Sequence, residues 1–160
     1  MKKSIILAED NVHLRSLYTD ALRREGYDVY AAENGKRALQ RISELKSDLI
    51  ILDIMMPEIN GIDVCVSARE IIGQTIPIIM LTALDDREAI EKGIMAGADD
   101  YIVKSAGLGT LLNRSRYWMT NDTAANLAER RAAILARLKQ GQEQGQEKGQ
   151  GGVSATGTTG

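Results

Sequence analysis

Short apolar runs alternate with stretches of helical periodicity from residue 4 to residue 119, and four of the runs each end in a polar residue of a different kind. IILAED closes on Glu9 and Asp10, LIILD on Asp53, IIMLT on Thr82 and YIVK on Lys104. Continuous runs of Val, Ile and Leu mark strands buried on both faces of a parallel sheet. The pattern predicts strands over 4–8, 27–32, 48–53, 76–81 and 99–103. Helices are predicted over 12–25, 35–46, 62–72, 86–96 and 108–119. In the first of these, Val12, Leu14, Leu17, Tyr18, Ala21 and Leu22 recur at helical spacing, and Gly26 supplies the stop.

Strands alternating with helices imply βαβ units, parallel pairing and right-handed crossovers. The expected fold class is α/β, a doubly wound five-stranded parallel sheet of flavodoxin-like order 2-1-3-4-5. The run YDVYAAE alternates more than the others, as an edge strand with a wetter face does. Sheets of this order bind ligands beyond the carboxyl ends of the first and third strands. Glu9, Asp10 and Asp53 fall at those ends.

The character changes after Met119. Residues 1–119 read as one domain, 120–140 as a C-terminal amphipathic helix and 141–160 as a Gly/Gln-rich disordered tail. The helix carries Ala124, Leu127, Ala128, Ala132, Leu135 and Leu138 on one side. That stripe can fold back on the domain, pair with its twin in a homodimer, or dock on another protein. In the tail a glycine falls at every fourth residue and almost no apolar side chain offsets the entropy of ordering.

Composition narrows the function classes. A formal net charge of −2 with basic residues scattered through the body leaves no electrostatic footprint of nucleic-acid binding, so no direct nucleic-acid partner is expected. The one cysteine, Cys65, sits in an apolar-periodic stretch and reads as a small buried hydrophobe. The start MKKSIILAED is cut short by acids, and no run approaches the roughly 20 apolar residues of a membrane span. A soluble cytoplasmic protein without a membrane partner is expected. His13, just past the acid pair, reads as a solvated side chain.

The strand ends carry the chemistry. Mg²⁺ takes hard oxygen ligands, commonly one or two carboxylates with waters and a phosphate oxygen. Asp10 and Asp53 can supply the carboxylates, the Met55 backbone carbonyl can complete the protein share, and Glu9 sits beside them. A carboxylate can attack phosphorus to form an aspartyl phosphate, its charge met by a cation and an amine. Asp53, on the central strand, is the best nucleophile, with Lys104 to pair with the phosphoryl oxygens and Thr82 to donate a hydroxyl.

At these residues the sequence resembles the receiver domain of bacterial two-component response regulators, over residues 3 to about 119. The motifs are the pair Glu9 and Asp10, LIILDIMMPEINGID with Asp53, Pro57 and Gly61, LTA with Thr82 and Ala83, and ADDYIVK ending at Lys104. The resemblance implies a receiver fold with Asp53 as phosphoacceptor, and Mg²⁺ held by Glu9, Asp10, Asp53 and the Met55 carbonyl. It also implies phosphoryl binding by Thr82 and Lys104, and an aromatic switch at Tyr101 coupled to Thr82. The implied partners are a sensor histidine kinase or phosphotransfer protein and a downstream protein target. One departure stands out: Ser105 follows Lys104, where the family has a proline in a cis peptide. A cis bond before another residue costs about 2.5–4 kcal/mol, so a rearranged loop is expected, eased by Gly107 and Gly109.

In such a protein, phosphorylation draws Thr82 inward, Tyr101 follows, and the surface of the fourth helix, fifth strand and fifth helix changes. Met55 and Leu84, both apolar, flank the pocket in the family's arrangement, and neither can position an attacking water, so slow decay of the phosphorylated form is expected. The chain reads as a signalling protein, not an enzyme. Two alternatives use the same residues less well. A haloacid dehalogenase-type phosphohydrolase wants a second acid two residues after the nucleophile, where Met55 stands. A phosphorylation-independent adaptor or dimerisation module normally lacks one of the key residues, and all are present here.

Overall fold

The computed structural model describes residues 1–83, 87–120 and 124–147; for 124–126, 138 and 141–147 it describes the backbone only. The strands are β1 (Ser4–Ala8), β2 (Asp28–Ala32), β3 (Leu49–Asp53), β4 (Ile78–Thr82) and β5 (Asp100–Val103). The helices are α1 (Val12–Arg24), α2 (Gly35–Glu44), α3 (Gly61–Ile72), α4 (Arg87–Met95), α5 (Leu108–Met119) and α6 (Ala124–Glu147). All strand pairs are parallel and the order is β2-β1-β3-β4-β5, the doubly wound arrangement that the alternating pattern predicts. The ends of the elements lie within two residues of the predicted ones up to Met119.

The sheet's three inner strands form the core. Every residue of β3 and β4 is buried, whereas β2 at the edge keeps partly exposed positions, in keeping with its alternating sequence. β4 starts at Ile78 because Pro77 has no N–H for the ladder, although its carbonyl still accepts from Ile50 N at 3.0 Å. Three asparagines start three helices. Asn11 accepts the N–H groups of His13 and Leu14, Asn34 that of Arg37, and Asn60 that of Asp63. Each cap satisfies donors that a first turn leaves unpaired, typically worth about 1 kcal/mol.

α6 lies against the domain at the amino-terminal ends of the strands, away from the acidic site. Leu127 and Ile134 are buried there, and Leu135 packs beside them. Arg131 pairs with the buried carboxylate of Asp99 and donates to the Gln74 carbonyl at 3.2 Å. Arg130 stacks 4.2 Å over the Tyr117 ring. Of the three uses open to the apolar stripe, folding back on the domain is the one observed. The helix runs on to Glu147, seven residues past the predicted end, because the Gln and Glu residues around Gly141 and Gly145 are good helix formers. Residues 148–160 of the predicted disordered tail lie outside the described residues. Among the described residues no helix is long and apolar enough to cross a membrane.

Candidate functional site

Parallel strands deliver their carboxyl ends to one edge, and β1 and β3 are neighbours there with Ala8 opposite Leu52. The next residues are Glu9 and Asp10 on one side and Asp53 on the other. One carboxylate oxygen from each of the three lies within 4.8 Å of the others. Glu9 and Asp53 are buried, and Asp10 is exposed at the mouth. Lys104 reaches in from the end of β5, its Nζ 2.8 Å from Glu9 Oε2 and 3.1 Å from Asp53 Oδ2. Both oxygens are buried, and the ammonium is the cation beside each of them.

The remaining oxygens are held by the backbone. Asn11 N–H donates to Glu9 Oε1 at 3.1 Å and Met55 N–H to Asp53 Oδ1 at 3.2 Å. Burial, then the charge of Glu9, pushes the Asp53 carboxyl up to about 7, against the pull of Lys104. Burial alone lowers the Lys104 ammonium, but its pairing with Glu9 and Asp53 outweighs that and raises it. Three acids against one amine leave the pocket short of positive charge. Closely spaced oxygen donors with that deficit suit a small hard cation.

The loop after Asp53 depends on Gly61. A Cβ there would overlap the Asp53 carbonyl oxygen and lie 2.8 Å from its carbon, so only glycine lets α3 begin against the site. Gly61 N–H also donates to the Ile54 carbonyl at 2.9 Å, closing the loop.

The structure brings Glu9, Asp10, Asp53 and Lys104 together directly. Thr82 is buried at the end of β4, one position past Leu81, the register partner of Asp53. Tyr101 is half-buried on β5 opposite Met80. Met55 sits in the loop beside the acids with an exposed side chain. Leu84, paired with Met55 in the expectation of slow phosphoryl decay, lies outside the described residues. His13 is exposed and Cys65 buried, and burial pushes the Cys65 thiol up to about 11.

The loop after Lys104 differs from a proline-shaped one. Among the described residues no peptide bond is cis, and Lys104–Ala106 form a 3-10 turn that ends at Gly107 with φ 88°. The ammonium still reaches both acids.

Four side chains have roles that the sequence pattern does not announce, two beside the site and two in the scaffold. Arg15 Nη1 donates to the backbone carbonyls of Glu9 and Asp10, at 2.9 and 3.1 Å. Tyr18 is buried on α1, and burial raises its phenol, with Lys104, Glu9 and Asp53 close enough to act on it. Asp99 and Asp100, visible only as part of a motif, are structural. Asp99 accepts from Arg69 at 2.8 Å, and Asp100 accepts from the Trp118 indole at 2.7 Å and from Arg114. Helical spacing put Arg15 and Tyr18 on α1, but nothing local says that a side chain there turns back toward the strand end.

The family model described as the response regulator receiver domain matches residues 5–116. The DNA-binding response regulator MtrA of Mycolicibacterium paratuberculosis is 42% identical over 104 residues, covering 65% of this chain and 45% of that protein. The response regulator ArlR of Staphylococcus saprophyticus is 37% identical over 131 residues, covering 82% of this chain and 59% of that one. The chain thus spans about half the length of the curated relatives it matches. Among solved structures, the response regulator TrrA of Thermotoga maritima in complex with Mg²⁺ and BeF is 34% identical, with a TM-score of 0.66, covering 72% of this chain and 98% of that one.

Proposed function

The chain belongs to the response regulator receiver domain family, and from that premise we propose that Asp53 accepts a phosphoryl group from a histidine kinase or phosphotransfer protein. Mg²⁺ would be held by Glu9, Asp10, Asp53 and the Met55 carbonyl. When bound it neutralises charge on the phosphoryl oxygens. The observation that carries the reading is the Asp53 carboxylate itself, 3.1 Å from an ammonium and within 4.8 Å of two further acids. The complex of TrrA with Mg²⁺ and BeF, a mimic of a phosphoryl group, supports it.

An Asp53 oxygen attacks the phosphorus of the donor phosphohistidine. The P–N bond breaks, its electron pair leaves with the imidazole nitrogen, and that nitrogen gains a proton. Lys104, paired at rest with Glu9 and Asp53, re-pairs with a phosphoryl oxygen, and the Thr82 hydroxyl donates to another. Thr82 then moves toward the site and Tyr101 turns inward behind it. The changed surface of α4, β5 and α5 is read by a downstream protein. MtrA is by name a DNA-binding regulator, but the Lys and Arg residues of this chain are scattered, which favours a protein target.

The test is incubation with acetyl phosphate and Mg²⁺, followed by intact mass. Wild type should gain one phosphoryl group, while Asp53→Asn and wild type in EDTA should not. Mg²⁺ binding without labelling would favour a phosphorylation-independent adaptor. Rapid turnover of phosphate esters would favour a phosphohydrolase.

A further inference from the structure

Asp10 poses a positioning problem. It is exposed, it makes no ion pair among the described residues, and it lies beside two buried carboxylates that repel it. Glu9 is held by Asn11 N–H and Lys104, and Asp53 by Met55 N–H and Lys104. The Asp10 carboxyl meets only Asp53, within hydrogen-bonding reach, and among the described residues no amine or backbone N–H holds it, so its aim depends on the backbone of the β1–α1 turn.

At its strand end the turn is held by Glu9 N–H donating to the Ala32 carbonyl at 3.0 Å, and on its carbonyl side it is clamped by a side chain. Arg15, in the first turn of α1, donates from a single nitrogen to the Glu9 carbonyl at 2.9 Å and to the Asp10 carbonyl at 3.1 Å. Among the described residues no backbone N–H donates to either carbonyl, since the helix ladder begins with Arg15 N–H on the Asn11 carbonyl. The choice of acceptor matters. A guanidinium bonded to the carboxylates would neutralise them and compete with a cation, whereas one bonded to the carbonyls fixes the turn and leaves every carboxylate oxygen its charge.

We propose that Arg15 is a positioning residue for the cation site, holding the Glu9–Asp10 backbone so that the Asp10 carboxylate stays turned toward Asp53. The proposal rests on the reading of Glu9, Asp10 and Asp53 as a Mg²⁺ site. It runs against the field effect, because a nearby positive charge by itself weakens cation binding. Removing the charge and removing the clamp therefore have opposite consequences.

The experiment is Mg²⁺ titration by calorimetry of wild type, Arg15→Gln and Arg15→Lys, with hydrogen exchange of the Glu9–Leu14 amides in EDTA. Outer-shell partners of metal ligands commonly change affinity about 10-fold or more. The expected result is a Kd raised about 10-fold in both variants, with faster exchange confined to the turn and unchanged exchange in β3 and β4. Arg15→Gln that binds Mg²⁺ as tightly as wild type or more tightly, with unchanged exchange, overturns the proposal and leaves the metal site standing. Wild type that fails to bind Mg²⁺ overturns the metal site and the proposal with it.

Discussion

Gly61 and Asp53 show how little freedom single positions have at this site. At Gly61 the obstacle is the Asp53 backbone, which cannot rotate away as a side chain could. Gly61→Ala should therefore cost at least about 2 kcal/mol in urea unfolding and displace the Asp53 loop. At Asp53 the cost is electrostatic. Its carboxyl is pushed up to about 7 by burial and by Glu9, from an ordinary value near 4. Between those values the folded chain binds a proton that the unfolded chain has lost, so this group's contribution makes stability fall as pH rises from about 4 through 7. In EDTA, Asp53→Asn should abolish that slope and be the more stable protein at pH 8, by on the order of 1 kcal/mol. Equal slopes in the two proteins would refute the assignment.

α6 shows an element whose existence was legible while its use was not. The stripe of Leu127, Leu135 and Leu138 announces an amphipathic helix, but self-docking and dimerisation need the same face. Docking is decided by complementary groups far away in sequence: the Asp99 carboxylate, Gln74, and the rings of Tyr117 and Trp118. Asp99 carries two guanidiniums, from Arg69 and Arg131. Arg131→Ala leaves Asp99 paired with Arg69 and should cost about 1 kcal/mol, whereas Asp99→Ala strands Arg69 and should cost about 3–5 kcal/mol. Trp118, the only tryptophan, lies 5.4 Å from the Arg130 guanidinium and should report release of α6 in Arg131→Ala through its emission. Because Leu127 and Ile134 are already buried in the chain's own domain, the full chain should size as a monomer through this element.

For the molecule as a whole, metal and phosphoryl binding should appear as stability. A ligand at 100 times its Kd stabilises the fold by about 2.7 kcal/mol. Mg²⁺ with beryllofluoride should raise the thermal midpoint of wild type, and the rise should shrink strongly in Asp10→Asn and vanish in Asp53→Asn. Melting curves on the three proteins decide this. The expected rise has an electrostatic origin: one lysine cannot balance three acids, so a bound cation should relieve their repulsion.

The order of apolar runs was enough to set the class of fold, the strand order and the placing of Glu9, Asp10, Asp53, Thr82 and Lys104 at strand ends, since parallel strands deliver their ends to one edge whatever the helices between them do. Residue types alone also made Asp53 the candidate nucleophile. Only the tertiary structure decided how Lys104 divides itself between Glu9 and Asp53 without a following proline, that Gly61 is needed for close approach to the Asp53 backbone, that Arg15 clamps the acid pair, and that α6 packs on its own domain. Each of these depends on contacts between groups distant along the chain or on the direction in which a long side chain turns, and local periodicity carries neither.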